Sequence, residues 1–205
     1  MTPAPAPTVP MAYRRTVFLG LVIGAHLVGY DNTMVSIALP RMQGTMSATL
    51  DEVAWVLAAY LIALAIAIPL VGPLADRFGR KRVFLTALAG YIVVTMLAGS
   101  ANTLLEIVAY RFVQGIFAAS FQPISQSFVY DNYSFEERGV AMGWWVIGLL
   151  SGILTGPLVG GYVTEYYTWR MAFYLSVPIS ALSFVVVFFF MRTPPRPETS
   201  RRFNV

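Results

Sequence analysis

The sequence predicts an all-α membrane protein of six transmembrane helices, and three observations carry that reading. Hydrophobic residues make up 57% of the 205 positions and charged residues 12%, too little polar side chain to cover a soluble domain. Six stretches reach the roughly 20 mostly apolar residues that a lipid span requires, with short polar loops between them. The basic residues, finally, gather in the loops of one side, as they do on the cytoplasmic face of a membrane.

The spans are expected at 16–39, 53–74, 83–101, 104–130, 140–163 and 171–191. Residues 1–15 read as a disordered cytoplasmic tail, because MTPAPAPTVP is rich in Pro and Ala and lacks the basic start and cleavage site of a signal peptide. Residues 192–205, with three prolines and three further arginines after Arg192, read as the start of a cytoplasmic linker, so a longer protein is expected rather than a natural homodimer. Arg14, Arg15, Arg77, Arg80, Lys81, Arg82, Arg138, Arg192, Arg196, Arg201 and Arg202 fall on one side of this arrangement, and Arg41 and Arg170 on the other. With an even number of spans, that bias places both termini in the cytoplasm. The net charge of +4 is therefore a topology signal and not a nucleic-acid footprint. With no cysteine and a single His26, neither a disulfide framework nor a metal site is expected, and no cofactor. The glycine-rich stretches sit inside apolar helices, so no phosphate-binding loop or other enzyme signature is present.

Two charges stand within the spans, where each costs at least about 2.5 to 3.5 kcal/mol unless paired, hydrated or functional. Asp31 precedes Pro40 by nine residues and Arg111 follows Leu104 by seven. At 1.5 Å per residue both lie roughly 10 to 14 Å inside the outer boundary, a depth at which they can pair. On the fourth span Arg111, Gln114, Ala118, Gln122 and Ser125 share one narrow arc, expected to face a water- or substrate-filled cavity; the bland alternative is polar glue between helices. On the first span Asp31 shares a face with Gly24, Leu27, Val35 and Ala38. His26 lies on roughly the opposite face and is expected to be a satisfied structural histidine. In the fifth span Gly148, Gly152, Gly156 and Gly160 repeat every four residues, a small-residue strip for close backbone contact to which Pro157 adds a bend.

Five motifs, GPLADRFGRKRVFL, RFVQGIFAAS, GILTGPLVGG, YDNTMVSIALP and WRMAFYLSVP, resemble those of the major facilitator superfamily, most nearly its drug:proton antiporter branch with fourteen spans, of which this chain is similar to the N-terminal six-helix half. GPLADRFGRKRVFL, from Gly72 to Leu85, resembles the signature loop between helices two and three. Gly72 and Gly79 there are expected to permit a tight turn, Asp76 to cap or face a helix N-terminus, and Arg77 and Arg80 to lie on the basic side. The resemblance implies a latch that holds the outward-facing state and suggests Asp131 as the partner of Arg80. RFVQGIFAAS, from Arg111 to Ser120, resembles the Arg-x-x-Gln-Gly motif, with Phe117 where a glycine is usual, a departure expected to weaken close packing. GILTGPLVGG, from Gly152 through Gly156, Pro157 and Gly160 to Gly161, resembles the antiporter motif. YDNTMVSIALP, from Tyr30 to Pro40, and WRMAFYLSVP, from Trp169 to Pro178, resemble the first-helix and sixth-helix motifs of the fourteen-span branch.

The resemblance implies a proton-coupled antiporter of the bacterial inner membrane that exports amphipathic or cationic drug-like compounds. Asp31 is then the protonatable site, with Arg111, Gln114 and Gln122 beside it. Its partners are protons, a small-molecule substrate, the lipid bilayer, and a C-terminal half or second copy that completes alternating access. The rival reading is a six-span regulator or assembly partner that keeps the motifs only for packing.

Overall fold

In lipid a backbone must satisfy its own polar groups, and long apolar runs can do so alone only as helices. The computed structural model describes residues 10–191, and within them all regular structure is helical. The helices are α1 (Met11–Met46), α2 (Leu50–Phe78), α3 (Arg80–Ser100), α4 (Leu104–Ala118), α5 (Phe121–Asn132), α6 (Phe135–Tyr166) and α7 (Trp169–Phe190). Counting α4 and α5 as one span, six are long and apolar enough to cross a membrane among the described residues. The expected linker at 192–205 and the first nine residues of the expected tail lie outside the described residues.

Two expectations about the spans are refined, the fourth crossing as expected over Leu104–Asn132. Residues 11–15 belong to α1, and Arg14 is buried: its guanidinium donates to the Asn132 carbonyl at 2.9 Å and to Glu137 at 2.8 Å. An arginine satisfied in this way extends a helix instead of ending it. The fourth span is not one continuous helix, for α4 stops at Ala118 and α5 starts at Phe121. Pro123 is the cause. It has no N–H for the carbonyl four residues back, at Ala119, and its ring crowds that carbonyl. The chain tightens there, and the Ser120 N–H bonds the Phe117 carbonyl at 3.4 Å.

The loops are short and their helix ends are closed by side chains. Thr49 with Glu52 and Thr103 with Glu106 form reciprocal capping boxes at the starts of α2 and α4. A single residue, Gly79, joins α2 to α3 with φ at +90°, a conformation that strains any residue with a Cβ. Gly72 is not part of that turn. It sits within α2 on an exposed face, where an added Cβ meets nothing within 4 Å. Asp76 is exposed as well, and the start of α3 has no side-chain cap.

α1 is the central element, packed against α6 and α7 and, at one end, α5; α2 lies on α4, and α3 lies on α4 and α7. The α1–α6 contact is made backbone to backbone. A Cβ on Gly152 meets the Tyr30 amide at 2.8 Å, on Gly156 the Tyr30 carbonyl at 2.7 Å, and on Gly160 the Met34 carbonyl at 3.1 Å. Gly29 on α1 answers with a Cβ site 2.6 Å from the Leu149 carbonyl. Pro157 lies inside an unbroken α6, and Gly161 faces open space. Phe117 does not loosen the bundle: its ring lies over Gly90 of α3, where a Cβ would sit 2.6 Å from the ring edge, so the missing glycine on one helix is matched by a glycine on the other.

At one end of the bundle the Arg14–Glu137 and Arg80–Asp131 ion pairs tie α1, α3, α5 and α6 together. At the other, Arg41 pairs with Glu165, the Trp169 indole donates to Thr45 at 2.9 Å, and Arg170 donates to the carbonyls of Gly99 and Ala101. Gly156→Leu is expected to lower the stability of the purified, detergent-solubilised chain by about 1 to 3 kcal/mol through overpacking. Gly72→Ala, with open space to fill, is expected to stay within about 0.5 kcal/mol; thermal unfolding of the two variants measures the contrast.

Candidate functional site

Between two apolar clusters, one around Leu21, Val28 and Phe121 and the other around Met34, Val56 and Ile107, the bundle holds a layer of polar side chains. Its centre is an ion pair. Arg111 of α4 donates through Nη1 to Oδ2 of Asp31 on α1, and both side chains are fully buried. The same nitrogen donates to Oε1 of Gln114 at 2.7 Å, and Nε donates to the Val56 carbonyl of α2 at 3.2 Å. The guanidinium lies over the ring of Tyr60, 4.2 Å from its centroid, a cation–π contact in a desolvated setting. Gln114 in turn donates to Thr95 of α3 at 2.8 Å and, more weakly, to Oδ1 of Asp31 at 3.4 Å. Four spans therefore converge on one carboxylate.

The layer has this form because of local sequence. The shared arc of Arg111 and Gln114 turns both inward on α4. Gly115, next to them, lets α4 close on α2, its Cβ site lying 2.9 Å from the Ala63 methyl. On α1 the face of Asp31 is buried throughout, with Gly24, Leu27, Val35 and Ala38. His26 points to the other side and shares a hydrogen bond of 2.9 Å with Ser151 of α6, a structural histidine as expected.

The predicted stripe is brought together only in part. Arg111, Gln114, Ala118 and Ser125 are buried among helices, so in this six-helix unit the stripe is internal and does not line a cavity. Ser125 bonds the carbonyls of Leu21 and Phe121. Gln122 is half-buried, lies beyond the break at Ala119, and takes no part in the network around Asp31. The physical reason is that a polar side chain in a low-dielectric interior is drawn to any available partner, and α1, α2 and α3 supply them. Sequence reasoning passed over Thr95 and Tyr91, one turn apart on α3, and gave Tyr60 no role. A signal was there, since Tyr91 and Thr95 are polar residues at an i, i+4 spacing in the middle of a mostly apolar span.

The second group of predicted residues is less interior. Arg80 and Asp131 form the expected ion pair, both partly exposed, across the ends of α3 and α5. Arg77 lies over the ring of Phe78, 5.4 Å from its centroid. No group of three or more His, Cys, Asp or Glu side chains suited to hold a metal ion occurs among the described residues.

A buried pair is costly to break from one side only. Arg111→Ala leaves the Asp31 carboxylate alone in the interior and is expected to lower stability by about 3 to 5 kcal/mol, whereas Arg111→Met combined with Asp31→Leu should regain most of that loss. Thermal unfolding of the single and double variants provides the measurement.

Comparison with known proteins agrees with this architecture. Residues 21–204 match the family model described as Major Facilitator Superfamily. The chain is 35% identical over 187 residues to Multidrug resistance protein 3 of Bacillus subtilis, covering 90% of this chain and 35% of that protein. It is 33% identical over 169 residues to Multidrug export protein EmrB of Haemophilus influenzae, covering 82% of this chain and 33% of that one. The chain thus spans about a third of the length of these curated relatives. Among solved structures, the xylose transporter XylE from E. coli in its inward open conformation superposes with a TM-score of 0.78 at 18% identity, over 88% of this chain and 49% of that one, a likeness of fold. Six membrane-capable helices in this arrangement, with the family match along most of the sequence, mean that the chain belongs to the major facilitator superfamily.

Proposed function

We propose that the chain is the N-terminal half of a secondary active transporter, a proton-coupled antiporter of fourteen spans that exports amphipathic or cationic drug-like compounds. The observation that carries this reading is Asp31, a carboxylate with no solvent exposure, held in the middle of the bundle chiefly by one arginine. Packing alone does not require such a pair, and in lipid it is expensive. As an ion pair the site has no net charge. A proton added to Asp31 leaves the Arg111 charge uncompensated and repels a cation, so a proton and a cationic substrate oppose each other's binding. That opposition is a physical basis for exchange.

Two further observations support export. The glycine strip of α6 against α1 is the part of the chain that resembles the antiporter motif, and relatives at 33 to 35% identity are named for multidrug resistance or export. In this reading Arg80 and Asp131 form the latch at the cytoplasmic end. The completing half is the C-terminal half of the transporter or a second copy, and the two halves rock against each other to give alternating access. The protein sits in the bacterial inner membrane with both termini in the cytoplasm.

Asp31→Asn keeps the shape of the side chain but cannot titrate. In the full-length protein it is expected to lower proton-driven efflux of a cationic dye by at least about tenfold, the effect of some 1.4 kcal/mol. Normal efflux with unchanged dependence on the proton gradient would sink the coupling role. Topology is tested separately, and easily, since the chain has no cysteine of its own. A cysteine at Asn102 should react with an impermeant thiol reagent in intact cells and one at Arg82 should not; the opposite pattern reverses the orientation.

A further inference from the structure

Three polar atoms beside the Asp31–Arg111 pair have no hydrogen-bond partner: Nη2 of Arg111 and the hydroxyls of Tyr60 and Tyr91. All three side chains are fully buried. Tyr60 lies beneath the guanidinium, 4.2 Å from ring centroid to Cζ. Tyr91 sits one turn from Thr95, which takes the Gln114 amide, and its ring packs edge-on against Phe121 with centroids 5.4 Å apart. Its hydroxyl lies near Gln114, whose amide donates to Thr95 and Asp31 and whose oxygen accepts from Arg111, and it is within electrostatic reach of Asp31, Tyr60 and Arg111. A buried hydroxyl left in this condition costs about 1 to 3 kcal/mol, and phenylalanine would fill the same space without that cost.

We propose that Tyr60 and Tyr91 are the alternative partners of the ion pair, used in the state in which Asp31 has taken a proton and released Arg111. The step is a single proton transfer. A proton delivered by water forms an O–H bond on the Asp31 carboxyl, the contact from Arg111 Nη1 to Oδ2 breaks, and the guanidinium keeps its charge. The two phenol oxygens then accept hydrogen bonds from the Asp31 O–H and from guanidinium N–H groups. Neither tyrosine gains or loses a proton. The hydroxyls that are idle in the paired state thus lower the free energy of the opened one, and the pair can separate without stranding its members in hydrocarbon. This inference rests on the proposed role of Asp31 as the proton site.

The ionisable groups that face Asp31 are few. Tyr60 comes from α2, Tyr91 from α3 and Arg111 from α4. On α1, Tyr30 is adjacent in sequence and stacked on His26, which is turned to Ser151. α5 engages its Asp131 with Arg80; α6 engages Glu137 with Arg14 and Glu165 with Arg41. On α7, Arg170 is held by the carbonyls of Gly99 and Ala101, and Tyr174 lies against Gly99.

The experiment uses the full-length transporter in proteoliposomes, with ethidium as the exported cation and transport followed as a function of pH. Tyr91→Phe and Tyr60→Phe each remove only a hydroxyl, and the latter keeps the aromatic face under Arg111. Each should move the pH midpoint of exchange to lower pH by about half a unit or more, because protonation loses its hydrogen-bond acceptor, a change of roughly threefold in proton affinity. The unfolding temperature should stay the same or rise. An unchanged midpoint in both variants overturns the proposal. So does a lowered unfolding temperature with an unchanged midpoint, which would mean that the hydroxyls have partners in the paired state. If Asp31→Asn shares the wild-type pH profile, the proposed role of Asp31 fails on its own account, separately from the tyrosines.

Discussion

The constraint on which the rest of this bundle depends is the cost of burying one carboxyl group among the helices. Asp31 carries no solvent exposure, and a single arginine from another span balances it. To bring that arginine in, α4 must approach α2 closely, which Gly115 allows, and its guanidinium must be supported below by Tyr60 and at its side by the Val56 carbonyl and Gln114. Gln114 then needs Thr95, which fixes α3. Each helix of the layer is placed by the hydrogen-bond demand of its neighbour, as buried polar networks require if they are not to destabilise the interior.

Around this layer the packing has two modes. α1 meets α4 through the Asp31 side chain, but it meets α6 through glycine backbone, where the atoms of Tyr30 and Met34 occupy the space that Cβ atoms would take. Tyr30 and Asp31 are adjacent residues, so the two contacts are mechanically close: the residue that precedes the carboxylate is among those against which Gly152 and Gly156 rest, with His26 and Thr33. Small residues at such an interface supply close van der Waals contact in place of a hydrophobic drive, which lipid does not provide between helices.

Much of this was legible in the residues. Asp31 and Arg111 stand out because charge is rare in apolar spans, and counting from the helix ends gave them one depth. The Arg80–Asp131 pair came from the resemblance of the loop, and the glycine strip came from a period of four. Other features were hidden for definite reasons. An arc of polar residues has the same periodicity whether it meets water or other helices, so the stripe on the fourth span was expected at a cavity and lies instead between helices, with Gln122 outside the network. Phe117 looked like a loss of packing because its complement, Gly90, is on another span. Tyr91 and Thr95 were inconspicuous because each is mild in polarity and common in membrane helices. Residues 11–15 seemed free because the partners of Arg14, Asn132 and Glu137, are more than a hundred positions away.

The interruption at Ala119 and Ser120 has a mechanical consequence. The Asp31–Arg111 pair is carried by α4 and the Arg80–Asp131 pair by α5, so the two ion pairs ride on separate stiff rods joined by two residues, at a point where Pro123 removes a rung of the ladder. A continuous helix would act as a lever and convert a tilt at one end into a displacement at the other. A jointed one absorbs part of the tilt in the joint. Under the proposed exchange mechanism, a tilt that begins at the Asp31–Arg111 pair would reach the Arg80–Asp131 pair through this joint and not through one stiff lever.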